Sequence, residues 1–96
     1  MLTGKQKGFL RSEAHHLQPL FQIGKNGCTE SVIAQIEEAL EAKELIKVSI
    51  LQNCGEDKKE IAEKFAQREG LNVVQTIGNI IVLYKESVEK KRIELP

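Results

Sequence analysis

The sequence runs Leu20-Phe21-Gln22-Ile23, then Gly24-Lys25-Asn26-Gly27, and a strong helical pattern opens near Thr29. Glycine tolerates backbone conformations that are closed to other residues, and it lets another molecule approach the chain closely. The start of a helix leaves amide donors unpaired at the positive end of the helix dipole. A strand, a glycine-flanked lysine and a helix start therefore make a suitable cradle for phosphate.

Seven elements are expected around this loop, in the order α-β-α-β-α-β-β. Thr3 and Gln6 have capping-box spacing, and Pro19 ends the first helical segment. Gly78-Asn79 is typical of a tight hairpin turn. The predicted elements are a helix from Thr3, a strand over 20–23, a helix over about 29–43, a strand over 46–50, a helix from about Glu56 that stops at Gly70, and strands over 71–77 and 80–84.

This order predicts an α/β fold, a two-layer sandwich with a four-stranded mixed sheet. Right-handed crossovers should make strands one to three parallel, and the hairpin should make strand four antiparallel. The loops at 24–27 and 53–56 and the turn at 78–79 should then gather at one edge of the sheet, where ligands of open α/β sheets usually bind. In strand two, apolar residues alternate with Lys47 and Ser49, which predicts one covered face and one wet face.

The composition is that of one soluble domain. The chain has 96 residues, of which 41% are hydrophobic and 29% charged. No apolar run approaches the roughly 20 residues that span a bilayer, and the N-terminus lacks the apolar segment of a signal peptide. We expect a cytoplasmic protein with one domain over 1–85. The charged tail over 86–96 is expected to fray, and the sequence gives no place to its Ile93 and Leu95.

The net charge is zero, but the charges are unevenly distributed. Residues 1–28 hold four basic side chains and one acidic one, a formal charge of +3. Residues 29–69 hold six basic and ten acidic side chains, which gives −4, and residues 70–96 hold four and three, which gives +1. The local field near the glycine loop is therefore positive, and a polyanion responds to that local field.

The loop pattern G-x-x-G has two interpretations. It can be an ordinary turn between a strand and a helix. It also matches the loop with which KH-class modules clamp an RNA backbone. It is neither a nucleotide P-loop nor a Rossmann motif, because the spacing and the following residues of both are absent. No cofactor is expected.

The basic residues of the first helix also have two interpretations. Lys5, Lys7 and Arg11 can form a solvated helix face, or they can contact phosphates together with the adjacent loop. His15 and His16 diverge by ~100° on a helix, so we expect one to pack near the helix end and the other to meet solvent or ligand. A metal site would need more ligands.

No catalytic constellation is visible. Cys28 and Cys54 lack close spacing and are expected to be reduced, small and partly buried. The second and third helices carry an acidic face, which we interpret as a solvated side that repels RNA. A protein-docking module acting through that face is the alternative function. The acidic residues are Glu37, Glu38, Glu41, Glu44, Glu60 and Glu63.

Five stretches together resemble one family, the CRM domain (chloroplast RNA splicing and ribosome maturation), whose YhbY-like bacterial members are small stand-alone proteins. The resemblance covers about residues 1–85. The stretches are Leu2-Thr3-Gly4-Lys5-Gln6, Ala14-His15-His16-Leu17, Gln22-Ile23-Gly24-Lys25-Asn26-Gly27, Ala39-Leu40-Glu41-Ala42-Lys43-Glu44-Leu45-Ile46-Lys47-Val48 and Ile77-Gly78-Asn79-Ile80-Ile81-Val82-Leu83-Tyr84.

The resemblance implies a sandwich like the C-terminal domain of translation initiation factor three. It also implies non-enzymatic RNA binding, with ribosomal RNA in precursors of the large ribosomal subunit as the partner and ribosome biogenesis as the process. The residues that it assigns to RNA binding are Gly24, Lys25, Asn26 and Gly27 of the loop and Lys5, Lys7, Arg11 and His15 of the first helix.

Overall fold

The computed structural model describes residues 2–96 and contains the predicted order of elements. No helix within these residues is both long and apolar enough to cross a membrane. The elements are α1 (Gly4–Ala14), β1 (Pro19–Ile23), α2 (Glu30–Lys43), β2 (Leu45–Ile50), α3 (Lys58–Ala66), β3 (Asn72–Ile77) and β4 (Ile80–Tyr84).

The first two helices begin at the expected caps, and the third begins later than expected. The Thr3 hydroxyl accepts a hydrogen bond from the Gln6 amide at 3.1 Å, and the Gln6 side chain accepts one from the Thr3 amide at 3.0 Å. The predicted capping box is therefore confirmed. In α3, Asp57 is the N-cap residue. Glu56 consequently lies before the helix, and its carboxylate is used elsewhere.

The strands form one sheet in the order β1-β2-β4-β3. β1 pairs with β2 in parallel, and β4 is antiparallel to both β2 and β3. β1, β2 and β3 therefore run in one direction and β4 runs in the other, as the sequence predicts. Because β4 lies between β2 and β3, the two edge strands are β1 and β3.

One face of the sheet is covered by α2 and α3, which supply the second layer of the predicted sandwich. The side chains buried between them include Ile36, Leu40 and Phe65, together with Ile46 and Val48 of β2. This cluster is the larger of two cores. It accounts for the apolar positions that the helical periodicity of α2 and α3 singles out.

The second face of the sheet is not wet along its whole length, as the alternation in β2 had predicted. Leu10 and Ala14 of α1 pack there against Leu45, and Ser49 is only 8% exposed. The expectation was wrong because α1 crosses back over this face. Lys47 on the same face is half-buried.

The tail over 86–96 does not fray, contrary to the sequence-based expectation. Glu44 accepts hydrogen bonds from the amides of Ser87, Arg92 and Ile93 at 2.9, 2.5 and 2.7 Å. Ile93 and Leu95 pack against the core cluster beneath α1. The tail follows a fixed path because buried groups of the domain bind it. We call this end of the sheet, where β2 begins, the tail edge.

Candidate nucleic-acid interface

The loop at 24–27, the loop at 53–55 and the turn at 78–79 meet at the opposite end of the sheet, which we call the loop edge. The Leu51 amide donates to the Ile23 carbonyl at 2.9 Å, and the Ile50 amide donates to the Asn79 carbonyl at 2.7 Å. A Cβ atom at Gly55 would lie 3.4 Å from the Lys25 carbonyl oxygen. The predicted convergence of these three segments is therefore confirmed.

The two glycines of the loop have different structural roles. Gly27 has a φ of +72°, and a Cβ atom there would overlap the carboxylate of Glu56. Gly24 has no positive φ, and a Cβ atom there would make an ordinary contact with Leu51 at 3.6 Å. The backbone therefore requires glycine at 27 and does not require it at 24. Close approach by another molecule remains a reason for glycine at 24.

Glu56 fixes the base of the loop. Its Oε1 accepts a hydrogen bond from the Cys28 amide at 2.6 Å, and its Oε2 lies 2.5 Å from Lys64 Nζ. Hydrogen bonding from Lys64 and then from the Cys28 amide lowers the pKa of Glu56 below its ordinary value. An anion of the protein itself thus occupies the amide donor just before α2. Sequence reasoning missed this role, because the partners are 28 residues apart.

The outer part of the loop is open. Lys25 and Asn26 are exposed, whereas Gly27 and Cys28 are buried. Within residues 2–96, no acceptor is found for the backbone amides of Lys25 and Asn26, and no carboxylate is paired with the Lys25 ammonium. Two backbone amides and two side chains at the tip are therefore open to a ligand.

The basic residues of α1 fall into two groups. Lys5 and Lys7 lie near the N-terminus of the helix, where Gln6 donates a hydrogen bond to the carbonyl of Pro96 at 3.3 Å. Arg11 and His15 lie at the other end and line a cavity against the sheet. The structure thus places Lys5 and Lys7 beside Gln6, which bonds the tail, and brings Arg11 and His15 towards the β3–β4 turn.

The cavity beside α1 contains residues that sequence reasoning did not place in the site. Lys47, from the middle of β2, lines it together with Arg11 and His15. The one charged residue in a mostly apolar central strand was the available signal. The alternation of apolar and polar residues assigned that lysine to a solvent-exposed face. In the structure α1 covers part of that face, and Lys47 borders the cavity that α1 leaves.

The histidine and cysteine side chains of the described residues do not form a metal site. Both His15 and His16 are exposed, so the expectation that one of them packs was wrong, and their rings meet edge to face at 5.5 Å. Among the described residues, no group of three or more His, Cys, Asp or Glu side chains could hold a metal ion. Burial raises the pKa of the Cys28 thiol to about 11, which keeps it protonated at neutral pH.

The acidic helix face is partly structural rather than solvated. Glu44 is fully buried and Glu41 binds the tail, while Glu37 pairs with Arg68 at 2.9 Å. The interpretation of these three as solvated was wrong, because each receives donors from a later part of the chain. The residues of that face that stay exposed are Glu38, Glu60 and Glu63.

Comparison with known proteins gives one consistent result. A profile of the CRS1 / YhbY (CRM) domain matches residues 2–85. The chain is 66% identical over 96 residues to the Bacillus subtilis protein named "Probable RNA-binding protein YqeI", and the alignment covers all of both chains. It is 47% identical over 95 residues to a Haemophilus influenzae protein named "RNA-binding protein", covering 99% of this chain and 95% of that one.

A solved structure has the same fold. The solution structure of the hypothetical protein SAV1595 from Staphylococcus aureus, described as a candidate RNA-binding protein, superposes with a TM-score of 0.81. The two chains are 56% identical, and the match covers the whole of both. The arrangement of three helices on a four-stranded mixed sheet is therefore shared with an experimentally determined relative.

Proposed function

The chain belongs to the CRS1 / YhbY (CRM) domain family, and on that premise we propose that it binds RNA through the loop at Gly24–Gly27 and the basic residues of α1. One observation carries the proposal. At the tip of the loop, within the described chain, two backbone amides and the Lys25 ammonium lack internal partners, although they stand beside a tightly fixed turn. Unpaired donors beside a positive side chain suit a phosphodiester.

Each residue would have a distinct role in the proposed contact. The amides of Lys25 and Asn26 and the Lys25 ammonium would hold a backbone phosphate, and the Asn26 amide group would bond sugar or phosphate. Glu56 would keep the turn rigid from behind. Arg11 and His15 would extend the contact on the same side as the β3–β4 turn, and the more distant Lys5 and Lys7 would add long-range attraction.

The RNA that we propose is ribosomal RNA in precursors of the large subunit, with the protein acting in the cytoplasm as a binding factor rather than as an enzyme. The resemblance of the chain to CRM-domain proteins supports this target, and the relatives described above are named as RNA-binding proteins. Residues 1–85 would form the RNA-binding domain. The tail over 86–96 would brace α1 from the opposite edge of the sheet.

Replacing Lys25 with glutamate tests the site. Lys25 is exposed and has no ion pair within residues 2–96, so Lys25→Glu should leave the unfolding midpoint unchanged. Its affinity for single-stranded RNA should fall about tenfold or more, and the slope of log affinity against log salt should become shallower by about 0.7 for each lost phosphate contact. Fluorescence anisotropy at several salt concentrations measures both quantities.

Lys43→Glu is the matched control, because Lys43 is equally exposed but lies in the last turn of α2, at the tail edge. It should bind RNA as the unchanged protein does. Equal affinity of the Lys25 and Lys43 variants would refute the loop as the site. Cross-linking in cells, followed by sequencing of the attached RNA, tests the target: precursor ribosomal RNA should be enriched, and enrichment should drop with Lys25→Glu. Cross-links spread evenly over messenger RNA would refute that target.

A further inference from the structure

A cavity of about 240 Å³ lies between the C-terminal half of α1 and the part of the sheet that α1 leaves uncovered. Pockets for drug-sized ligands usually measure roughly 300–1,000 Å³, so this space suits a flat group no larger than one nucleobase. Its lining residues are Arg11, Ala14, His15, Lys47, Gln75, Ile77, Ile80 and Val82.

The floor of the cavity is apolar and open to solvent at one end. Ile77 is 57% exposed at the end of β3, and Ile80 is half-buried at the start of β4. Val82, deeper in the sheet, is 2% exposed. Single exposed apolar side chains are common, but here they are contiguous and form a concave wall. A planar aromatic group could cover this wall.

Lys47 is the most informative residue of the rim. It lies on β2, a central strand, with Val82 as its neighbour on β4. It is half-buried, yet no carboxylate within residues 2–96 pairs with it. Lys64 and Arg68, by contrast, each have a glutamate oxygen within 2.9 Å. The Lys47 ammonium therefore remains available to a bound anion such as a phosphate.

The charge of the lining also separates this cavity from the others. Arg11, Lys47 and His15 supply its ionisable groups, and no carboxylate lines it. Four larger clefts described in residues 2–96 all include a glutamate. They include Glu30 in the first cleft, Glu38 in the second, Glu37 in the third and Glu13 in the fourth. The cavity beside α1 is therefore the cleft among these five that is best suited to a polyanion.

The cavity opens at the loop edge. Ile77 and Ile80 flank the turn at 78–79, whose Asn79 bonds Ile50 of β2. β4 is the second neighbour of β1, so its start lies about 10 Å from the end of β1 in the direction across the strands. A single RNA chain held at the loop after β1 could reach that distance with its next few nucleotides. KH-type loops clamp about four nucleotides of backbone.

We propose that this cavity receives one unpaired base of the bound RNA chain. The base would lie on Ile77, Ile80 and Val82, the Gln75 amide would bond its edge, and Arg11 and Lys47 would hold the adjoining phosphates. The ligand class is therefore single-stranded RNA with an accessible base, in preference to a continuous duplex. This inference rests on the proposed RNA-binding function and adds to it a place for a base.

A strand that lacks bases tests the inference directly. Binding of a single-stranded RNA is compared with binding of an abasic strand of the same length, by fluorescence anisotropy. The unchanged protein should prefer the strand with bases by about tenfold, because a base that covers the aliphatic wall removes apolar surface from water. Ile77→Ser should reduce that preference to about twofold or less, because it removes part of the apolar wall that the base would cover. Lys47→Gln should instead weaken the binding of both strands, because Lys47 would hold a phosphate. Cross-linking of a 4-thiouridine strand should label the peptide that carries Ile80 and Val82.

Matched controls keep the outcomes separate. Val88→Ser removes a similar apolar side chain, 88% exposed, from the tail, and should keep the full preference. Lys43→Gln removes one charge at the tail edge and should leave the affinity for both strands unchanged. Equal binding of both strands by the unchanged protein, with the Lys25→Glu effect intact, would overturn the base cavity alone. No binding of either strand would overturn the proposed function and this inference together.

Discussion

The two ends of the sheet differ in how many of their polar groups have hydrogen-bond partners within the protein. At the tail edge, Glu41 and Glu44 accept hydrogen bonds from five backbone amides and the Ser87 hydroxyl, at 2.5 to 3.1 Å. At the loop edge, one glutamate accepts one backbone amide, that of Cys28. The amides of Lys25 and Asn26 beyond it find no acceptor in the described chain.

The difference shows at which edge the hydrogen-bonding groups are satisfied without a ligand. Buried polar groups in native proteins are almost always hydrogen-bonded, so an edge whose donors and acceptors match each other has a structural role. An edge that leaves donors and a cation unmatched in the open has capacity for an external acceptor. Acid, removal of the Glu44 carboxylate and alanine at the two loop glycines should disturb the two edges to different extents.

Acid should detach the tail before it unfolds the domain. Hydrogen bonds from the Ser87 hydroxyl and the Val88 and Glu89 amides lower the pKa of Glu41 from 4.5 to about 2. Burial alone would raise the pKa of Glu44, but amide hydrogen bonds outweigh it and leave the value lowered. Because both folded pKa values lie below the unfolded ones, the stabilisation is present above pH 4.5 and is lost as the pH falls. The contribution of Glu41 is lost as the pH falls through about 2.

Amide NMR signals follow that loss residue by residue. The Val88 and Ile93 amides should move towards their unfolded chemical shifts as the pH falls below 4.5. The amide of Ile81, in the middle of the sheet, should follow only at lower pH. Simultaneous movement of all three signals would show that the tail is not held separately by its carboxylates.

Glu44→Ala should be the most destabilising single substitution at the tail edge. Glu44 is fully buried, and its removal leaves the amides of Ser87, Arg92 and Ile93 without their acceptor. We expect a loss of about 3 kcal/mol in the free energy of unfolding, measured by urea denaturation at neutral pH. Alanine keeps the positive φ strained, so the loss reports the carboxylate alone.

Two further variants define that result. Glu38→Ala changes an exposed glutamate on the same helix and should stay within about 0.5 kcal/mol of the unchanged protein. Glu44→Gly removes the carboxylate but relaxes the φ of +66°, so it should be about 1 kcal/mol less harmful than alanine. If Glu44→Ala and Glu38→Ala have equal stabilities, the tail contacts contribute nothing.

At the loop edge, the two glycines should respond differently to alanine. Gly27→Ala forces a side chain into a positive φ and against the Glu56 carboxylate, so it should cost about 1–2 kcal/mol. Gly24→Ala meets only ordinary contacts and should leave stability within about 0.5 kcal/mol. Thermal unfolding of both variants measures the difference. Equal midpoints would show that the bend at Gly27 is not structurally required.

The architecture was accessible from sequence because local rules and topological rules agree. The capping box at Thr3 and Gln6, the turn at 78–79 and the crossovers between strands each use signals from neighbouring residues. Once the strand directions are set, the loops must converge. The loop edge therefore followed from the order of elements, without any knowledge of side-chain contacts.

The roles of individual charged residues were not accessible in the same way. Glu44 sits where a helix usually ends in glycine, and its partners are 43 to 49 residues later. Glu56 likewise reaches back 28 residues to Cys28. A glutamate on a helix is most often solvated, so the periodic pattern assigned the wrong state to Glu44. Lys47 was misassigned because the path of α1 over the sheet is a tertiary property.

The Glu56 contact has a consequence for how the loop meets a ligand. The carboxylate joins the Cys28 amide to Lys64 of α3 and fills the space beside Gly27. If the loop binds RNA as proposed, the bend has its geometry before RNA arrives, and little conformational entropy would be lost on association. A contact of only two residues could then add measurably to the affinity. A mobile loop of the same composition would lose most of that gain, because ordering the loop costs entropy.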